Sequence, residues 1–348
     1  MTAPAQAPPG IDLPALRRYF AGHVPAFSGQ LSVELITGGK SNLTYLVTDG
    51  EHRWVLRRPP LGPLTPTAHD MAREFRVVAA LHGTSVPVAQ AVALCEDIEV
   101  LGVPFAVVSY VAGRTLRDGD DAATLTTDEA RRCATALVGT LAALHSVPYE
   151  QVGLGGFGRP LGYLERQVRR WHGQWQKVAT RELSTLDVLH DELAAAVPPQ
   201  SASSIVHGDY RLDNTILDVR DPGRILAVVD WEMATLGDPL ADLGLLLTYW
   251  DPIAEPVLGV RHAPTANPGL GTADDLACWY AESSGRNVGD LRFYRALGYF
   301  KLAVIAEGIH QRYLAGDTVG SGFATVGQAV PALVDQGLRI LRSSDQWV

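Results

Sequence analysis

Ser204–Ala234 reads SIVHGDYRLDNTILDVRDPGRILAVVDWEMA, a stretch that sets polar side chains at the ends of apolar runs. Ile205–Val206 places His207 and Asp209 at a strand exit, and Gly208 lets the backbone bend between them. Thr215–Val219 and Ile225–Val229 read as two strands joined by the turn Asp221–Gly223. A hairpin of this length returns its outer ends to one side. Asn214, before the first strand, and Asp230, after the second, are therefore expected at the same open end, with Asp209 available across the loop Tyr210–Asp213. Each residue alone has an ordinary structural use: a His-Gly-Asp turn, an Asn that caps backbone groups, an Asp that begins a helical turn at Trp231–Thr235. Together, three oxygen-bearing side chains at one mouth suit Mg²⁺, which takes carboxylates, water and ligand phosphates. The interval from Asp209 to Asn214 also equals that between the catalytic Asp and the metal-binding Asn of a kinase catalytic loop.

Upstream, Leu31–Ile36, Leu43–Thr48 and Arg53–Arg57 are short and rich in branched and aromatic residues, and the turns between them predict a small antiparallel sheet. Two further strands are expected at Ala91–Cys95 and Phe105–Tyr110. Ala68–His82 has helical spacing, with Met71, Phe75, Val78 and His82 on one face and Glu74 beside it. Past Gly113 the texture turns helical, over Asp128–His145, Pro160–Val178, Leu183–Ala196, Pro239–Leu247, Ala273–Ser283, Asp290–Leu314 and Val326–Leu341. Asp251–Gly271 reads as a loop.

Bulk properties narrow the partners. The chain has 29 basic against 38 acidic residues, a formal net charge of −9, which argues against binding to a phosphate backbone. Cys95, Cys133 and Cys278 are scattered, matching neither a disulfide framework nor a Cys metal site and fitting a reducing compartment. The Pro/Ala-rich start lacks a basic segment followed by an apolar run, so it reads as a short disordered leader and not as a signal peptide. No apolar run reaches transmembrane length. A soluble cytoplasmic protein with no nucleic-acid or membrane partner is expected, its oligomeric state left open.

HGDYRLDN (207–214) followed by VVDWEMATLGDPLADLG (228–244) resembles the aminoglycoside phosphotransferase–choline kinase superfamily. Within it the likeness is to the kinase-like domain found alone in many bacteria and fused to some acyl-CoA dehydrogenases. The resemblance spans roughly Leu31 to Leu314. It implies an α+β, bilobal protein-kinase-like fold with a small antiparallel-sheet lobe and a larger mainly helical lobe. On that plan residues 1–110 form the nucleotide-binding lobe and 111–348 the catalytic and substrate-binding lobe. It implies ATP and Mg²⁺ as cofactors and phosphoryl transfer to a small-molecule hydroxyl, the acceptor being a hydroxylated metabolite such as a hydroxyacyl thioester.

Carried over residue by residue, Asp209 falls on the catalytic Asp, and Asn214 and Asp230 fall on the two metal-binding positions. His207 is expected to support the loop by hydrogen bonding, and Asp238 and Asp242 to fix backbone around it. In GGKSNLTYLV (Gly38–Val47), Ser41 and Asn42 are candidate phosphate donors. Arg57 stands where the family usually has a lysine, with Arg58 as its competitor; an arginine fork is not an equivalent phosphate clamp. Glu74 is expected to pair with Arg57. Ser109 and Val111 occupy the interlobe hinge, whose peptide groups would meet adenine. Trp171, Trp175, Trp231, Tyr249 and Trp250 read as packing residues that double as an acceptor wall, and Lys301 and His310 as ligand candidates. The altered clamp at Arg57 leaves open a noncatalytic nucleotide-binding or metabolite-sensing module, and a metal-dependent phosphoesterase is a further alternative.

Overall fold

Alternation along the strands sets the architecture of the small lobe. In the computed structural model, which describes residues 7–36, 42–62, 69–260, 262–316 and 323–344, the chain divides into two units. One comprises Met1–Ala112 with Ala227–Glu232, the other Gly113–Leu226 with Met233–Val348. The first carries β1 (Ser32–Leu35), β2 (Leu43–Thr48), β3 (Arg53–Arg58), β4 (Ala91–Cys95) and β5 (Phe105–Ser109), paired antiparallel in the order β1-β2-β3-β5-β4. Its helices are α1 (Leu13–His23), α2 (Met71–Leu81) and the single turn α3 (Ile98–Leu101).

Successive side chains of a strand face opposite ways. Trp54 and Leu56 of β3 join Tyr45, Val47, Phe105 and Val107 in a core completed by Leu16 and Phe20 of α1. Arg58 shares their parity and is itself buried, donating to the carbonyls of Gly10, Pro59 and Leu101. Arg57 has the other parity and meets α2. Asp70 caps α2 by accepting from the Arg73 N–H. The buried face of α2 is rotated from the expected one: it consists of Met71, Glu74, Val77, Val78 and Leu81, while His82 is the exposed C-cap. Glu74 therefore lies on the inward face and not at its edge. The reason is its partner on β3, which compensates a carboxylate there.

The second unit is mainly helical: α4 (Gly119–Ala123), α5 (Thr127–Ser146), α6 (Tyr163–Val178), α7 (Ser184–Ala195), α8 (Pro239–Tyr249), α9 (Glu255–Leu258), α10 (Ala273–Ser284), α11 (Arg292–Leu314) and α12 (Val326–Arg342). The short strands β6 (Ser204–Val206) and β9 (Thr235–Gly237) pair antiparallel, and β7 (Thr215–Leu217) pairs with β8 (Ile225–Val228). The helical turn expected over Trp231–Thr235 is shorter: a 3₁₀ turn covers Trp231–Met233, and Thr235 already belongs to β9. Asp251–Gly271, expected as plain loop, contains α9 and three 3₁₀ turns.

Helix α11 is buried along most of its length. It touches α8 at closest range where both carry glycine: a Cβ on Gly244 would come 2.5 Å from the Tyr294 carbonyl carbon, and one on Gly298 would come 2.5 Å from Thr248 Oγ1. That approach places the C-terminal turn of α8 and the middle of α11 against the His-Gly-Asp loop. A small antiparallel-sheet lobe and a larger, mainly helical lobe make this a bilobal kinase-like fold. No helix among the described residues is long and apolar enough to cross a membrane.

Candidate active site

In the helical unit, β6 delivers the chain to His207 with all three of its residues buried. Gly208 then adopts φ +82°, and a Cβ there would lie 2.7 Å from the Met233 carbonyl oxygen. Glycine meets both conditions without strain. Asp242 of α8 fixes the bend: its carboxylate accepts the His207 N–H at 2.5 Å and the Gly208 N–H at 2.8 Å. Behind it, His145 Nε2 lies 3.4 Å from Asp242 and His145 Nδ1 lies 2.7 Å from the Tyr280 hydroxyl. Burial would raise the Asp242 carboxyl, but His145, His207 and the Gly208 N–H hold it below its ordinary value. Asp238 caps α8 through the Leu240 N–H and takes both the N–H and the hydroxyl of Ser201. Both residues hold backbone in place. His207 Nδ1 accepts the Asp209 N–H at 3.3 Å, so this imidazole supports the loop by hydrogen bonding.

The Asp209 side chain, 22% exposed, is held at both oxygens. Tyr249, the last residue of α8, donates its hydroxyl to Oδ1 at 2.5 Å. Asn214 Nδ2 approaches Oδ2 at 3.3 Å and donates to the Asp209 carbonyl at 2.8 Å, while Arg211 Nε lies 3.4 Å from Oδ2. Burial opposes the charge, but Arg211, Lys301 and the Tyr249 hydroxyl hold the carboxyl below its ordinary range. Asp209 is thus an anion near neutral pH, oriented before any ligand arrives. Lys301 of α11 donates to the Gly208 carbonyl, with its ammonium 5.3 Å from the centre of the Trp171 ring. Its burial lowers its proton affinity, against the pull of Asp209 and Asp242.

In the sheet unit, Arg57, Glu74, Asn42 and Asp230 come together. Arg57 Nε lies 3.3 Å from Glu74, and Arg57 donates to Asp230 Oδ1 at 2.8 Å. Asn42 Nδ2 donates to Glu74 at 2.9 Å and to Glu232 at 3.2 Å. Three carboxylates therefore face one guanidinium. Burial pushes Glu74 up to about 7 in spite of Arg57, with Asp230 and Glu232 adding to the rise. Asp230 has φ +65°, a left-handed conformation unusual for a residue with a side chain. Its carboxylate is 32% exposed. Ser109 Oγ accepts the Gln90 N–H at 2.9 Å, and neither peptide group of Val111 has a hydrogen-bond partner among the described residues. Ser41 lies outside the described residues, as do Gly38, Gly39 and Lys40.

Asn214 in the helical unit and Asp230 in the sheet unit each offer oxygen-donor chemistry of the kind Mg²⁺ takes. Asn214 Oδ1 and Asp230 Oδ2 have no partner among the described residues, and both are hard oxygen donors. Those residues include no group of three or more His, Cys, Asp and Glu suited to a metal. Mg²⁺ calls for fewer protein ligands, because it keeps waters and takes substrate phosphates.

Tyr249, which aromatic content had assigned to packing, also makes a polar contact at the candidate site. All five aromatics, Trp171, Trp175, Trp231, Tyr249 and Trp250, are buried, but Tyr249 also reaches the candidate base. It follows Asp242 by about two helical turns, which puts both on one face of α8, but that spacing alone does not set it apart from a packing residue.

Comparison with known proteins gives the family and the fold. The phosphotransferase enzyme family (APH) matches residues 32–274. Acyl-CoA dehydrogenase family member 11 of Gallus gallus is 35% identical over 343 residues, covering 94% of this chain and 43% of that protein. The chain thus spans less than half the length of that relative. A solved structure of a candidate aminoglycoside phosphotransferase from Ralstonia eutropha is 34% identical, with a TM-score of 0.82, covering 95% of this chain and 98% of the other. The aminoglycoside phosphotransferase APH(4)-Ia, solved with ADP and hygromycin B, shares the fold at a TM-score of 0.62 and 17% identity, over 94% of this chain and 99% of the other. With the family matched over most of its length, this chain belongs to the phosphotransferase enzyme family and is a kinase of that class.

Proposed function

We propose that the chain is an ATP- and Mg²⁺-dependent O-phosphotransferase whose acceptor is a small hydroxylated metabolite, with a hydroxyacyl thioester as the leading class. The observation that carries the reaction type is Asp209: a carboxylate kept ionised and oriented by Tyr249, Asn214 and Arg211. Such a group can take the proton of an alcohol as its oxygen attacks the terminal phosphate of ATP. Asn214 and Asp230 would hold the metal through their unpartnered oxygens. Bound Mg²⁺ supplies positive charge to the phosphate oxygens as negative charge shifts among them. Arg57, oriented by Glu74, would face the nucleotide phosphates, with Ser41 and Asn42 as donors from the preceding turn. Val111 offers an open N–H and C=O to adenine, and Ser109 ends the strand that leads there. The thioester class draws its support from the relatives named acyl-CoA dehydrogenase family members. The same reading sets the enzyme in the cytoplasm, acting on a small molecule and not on nucleic acid.

The test is incubation of the protein with Mg-ATP and a metabolite extract containing hydroxy acids and their thioesters, followed by mass analysis for ATP-dependent gain of one phosphate group. Asp209→Asn should remain folded, with a lowered melting temperature, and lose about 10³-fold in transfer, the scale of general-base catalysis. Nucleotide binding without phosphate transfer to any compound would overturn the assignment.

A further inference from the structure

Each carboxylate oxygen of Asp209 meets a protein donor. Oδ2 is shared by Asn214 and Arg211, and Oδ1 accepts a 2.5 Å hydrogen bond from Tyr249. The Tyr249 side chain is buried, with the Arg211 guanidinium 5.3 Å from its ring centre. Its helix is pinned by Asp242 on the same loop and by the glycine contacts with α11. Burial, and then the charge of Asp209, hold the phenol well above its usual pKa, so it remains a donor. A protein hydroxyl therefore competes for one of the two oxygens that could take an alcohol's proton.

We propose that Tyr249 is a specificity-determining residue: its hydroxyl caps Asp209 until a bound alcohol displaces it, which prevents the same carboxylate from activating water. This rests on Asp209 being the proton acceptor. Binding energy separates the two competitors. An alcohol is held by the rest of its molecule and can spend that energy on displacing the phenol, whereas water brings nothing beyond its own hydrogen bonds. In the suppressed side reaction, a water oxygen forms a bond to the terminal phosphorus of ATP and a proton of that water passes to Asp209. The bond from that phosphorus to the oxygen bridging it to the β-phosphate breaks, and ADP leaves with its electrons. Removing the cap opens Oδ1 to water without removing the base.

The experiment supplies Mg-ATP alone, without acceptor, and reads ADP release from the wild type, Tyr249→Phe, Asp209→Asn and the double variant. Tyr249→Phe should release ADP about tenfold faster, the scale of one hydrogen bond to a charged group, and the double variant should fall back to the Asp209→Asn level. A non-kinetic readout accompanies it: a downfield hydroxyl proton resonance in the free wild type, lost in both single variants. Should Tyr249→Phe prove unstable, 3-fluorotyrosine at position 249 keeps the shape and strengthens the donor, and should push ADP release below wild type. Unchanged or slower release in Tyr249→Phe, or faster release with fluorotyrosine, overturns the role of Tyr249 and leaves Asp209 as the base. Full transfer by Asp209→Asn in the metabolite assay would instead remove the base, and this inference with it.

Discussion

The carboxylates of Asp209, partly exposed, and of Glu74, buried, each lie beside an arginine, yet they stand in opposite electrostatic conditions. Around Asp209 the compensation is complete: Arg211, Lys301, a phenol and an amide keep it ionised, and Asp242 holds the two N–H groups ahead of it. Around Glu74 it is not: burial outweighs the pull of Arg57, the charges of Asp230 and Glu232 add to the rise, and the carboxyl is pushed up to about 7. The difference separates two jobs. The loop that would position the acceptor is held by compensating charge, whereas around Glu74, among the described residues, burial outweighs the pull of Arg57.

The sharpest way to break this contrast is to disorganise the organised side. In Asp242→Asn one of the two backbone N–H groups faces an amide NH₂ in place of a carboxylate oxygen. The cost should be on the order of 3–5 kcal/mol, since hydrogen bonds to buried charge are the strong ones. Thermal melting would show it, and transfer by the surviving folded protein should fall while its affinity for Mg-ADP holds. A fully stable Asp242→Asn would mean that the loop does not depend on this carboxylate.

Next in size is the pH response of the undercompensated side. Glu74 has a folded value of about 7 against an ordinary value of 4.5, so the folded protein binds a proton that the unfolded chain releases. Its contribution to stability is present below about 4.5 and is lost as pH rises through 7, on the order of 3 kcal/mol across that window. Glu74→Gln should flatten this part of the denaturation profile. Asp209 has the opposite sign: it favours the fold above its unfolded value, and that help is lost as pH falls through the lower folded value. A Glu74→Gln profile that still falls between pH 4.5 and 7 would place the titrating group elsewhere.

The smallest effect sharpens the comparison. Because added positive charge is worth more when Glu74 is ionised, Mg²⁺ alone should stabilise the protein more at pH 8 than at pH 5.5. The difference should be about 1 kcal/mol at moderate saturation, seen as a larger rise in melting temperature. Chelation of Mg²⁺ should remove it, and equal rises at both pH values would speak against a cation beside these carboxylates.

Sequence and structure agree best where chemistry and periodicity point the same way. Arg57 and Arg58 are neighbours in the chain, and strand parity alone sends one to Glu74 and the other to backbone carbonyls beside α1. The His-Gly-Asp turn was legible because only a small residue survives the bend at Gly208. Tyr249 was not, since an aromatic near a helix end packs in most proteins and its hydroxyl partner lies 40 residues earlier in the chain. The strand β9 was hidden for a related reason: Thr235–Gly237 is too short to show alternation, and its pairing with β6 is a long-range fact. The rotated face of α2 depended on a charge partner from another element, which spacing within one helix does not reveal.

Ala227–Glu232 belongs to the sheet unit although the rest of its neighbourhood in the chain belongs to the other. Val228 gives its N–H to the Pro87 carbonyl, and Asp230 gives Arg57 its second carboxylate. A ribosome emitting this chain has therefore released well over half of it before the small lobe can finish folding. A fragment ending at Ala112 would leave Arg57 with one anion fewer and β4's approach loop with an unanswered carbonyl. Swapping lobes between relatives accordingly takes two grafts, the leading segment and this distant insert.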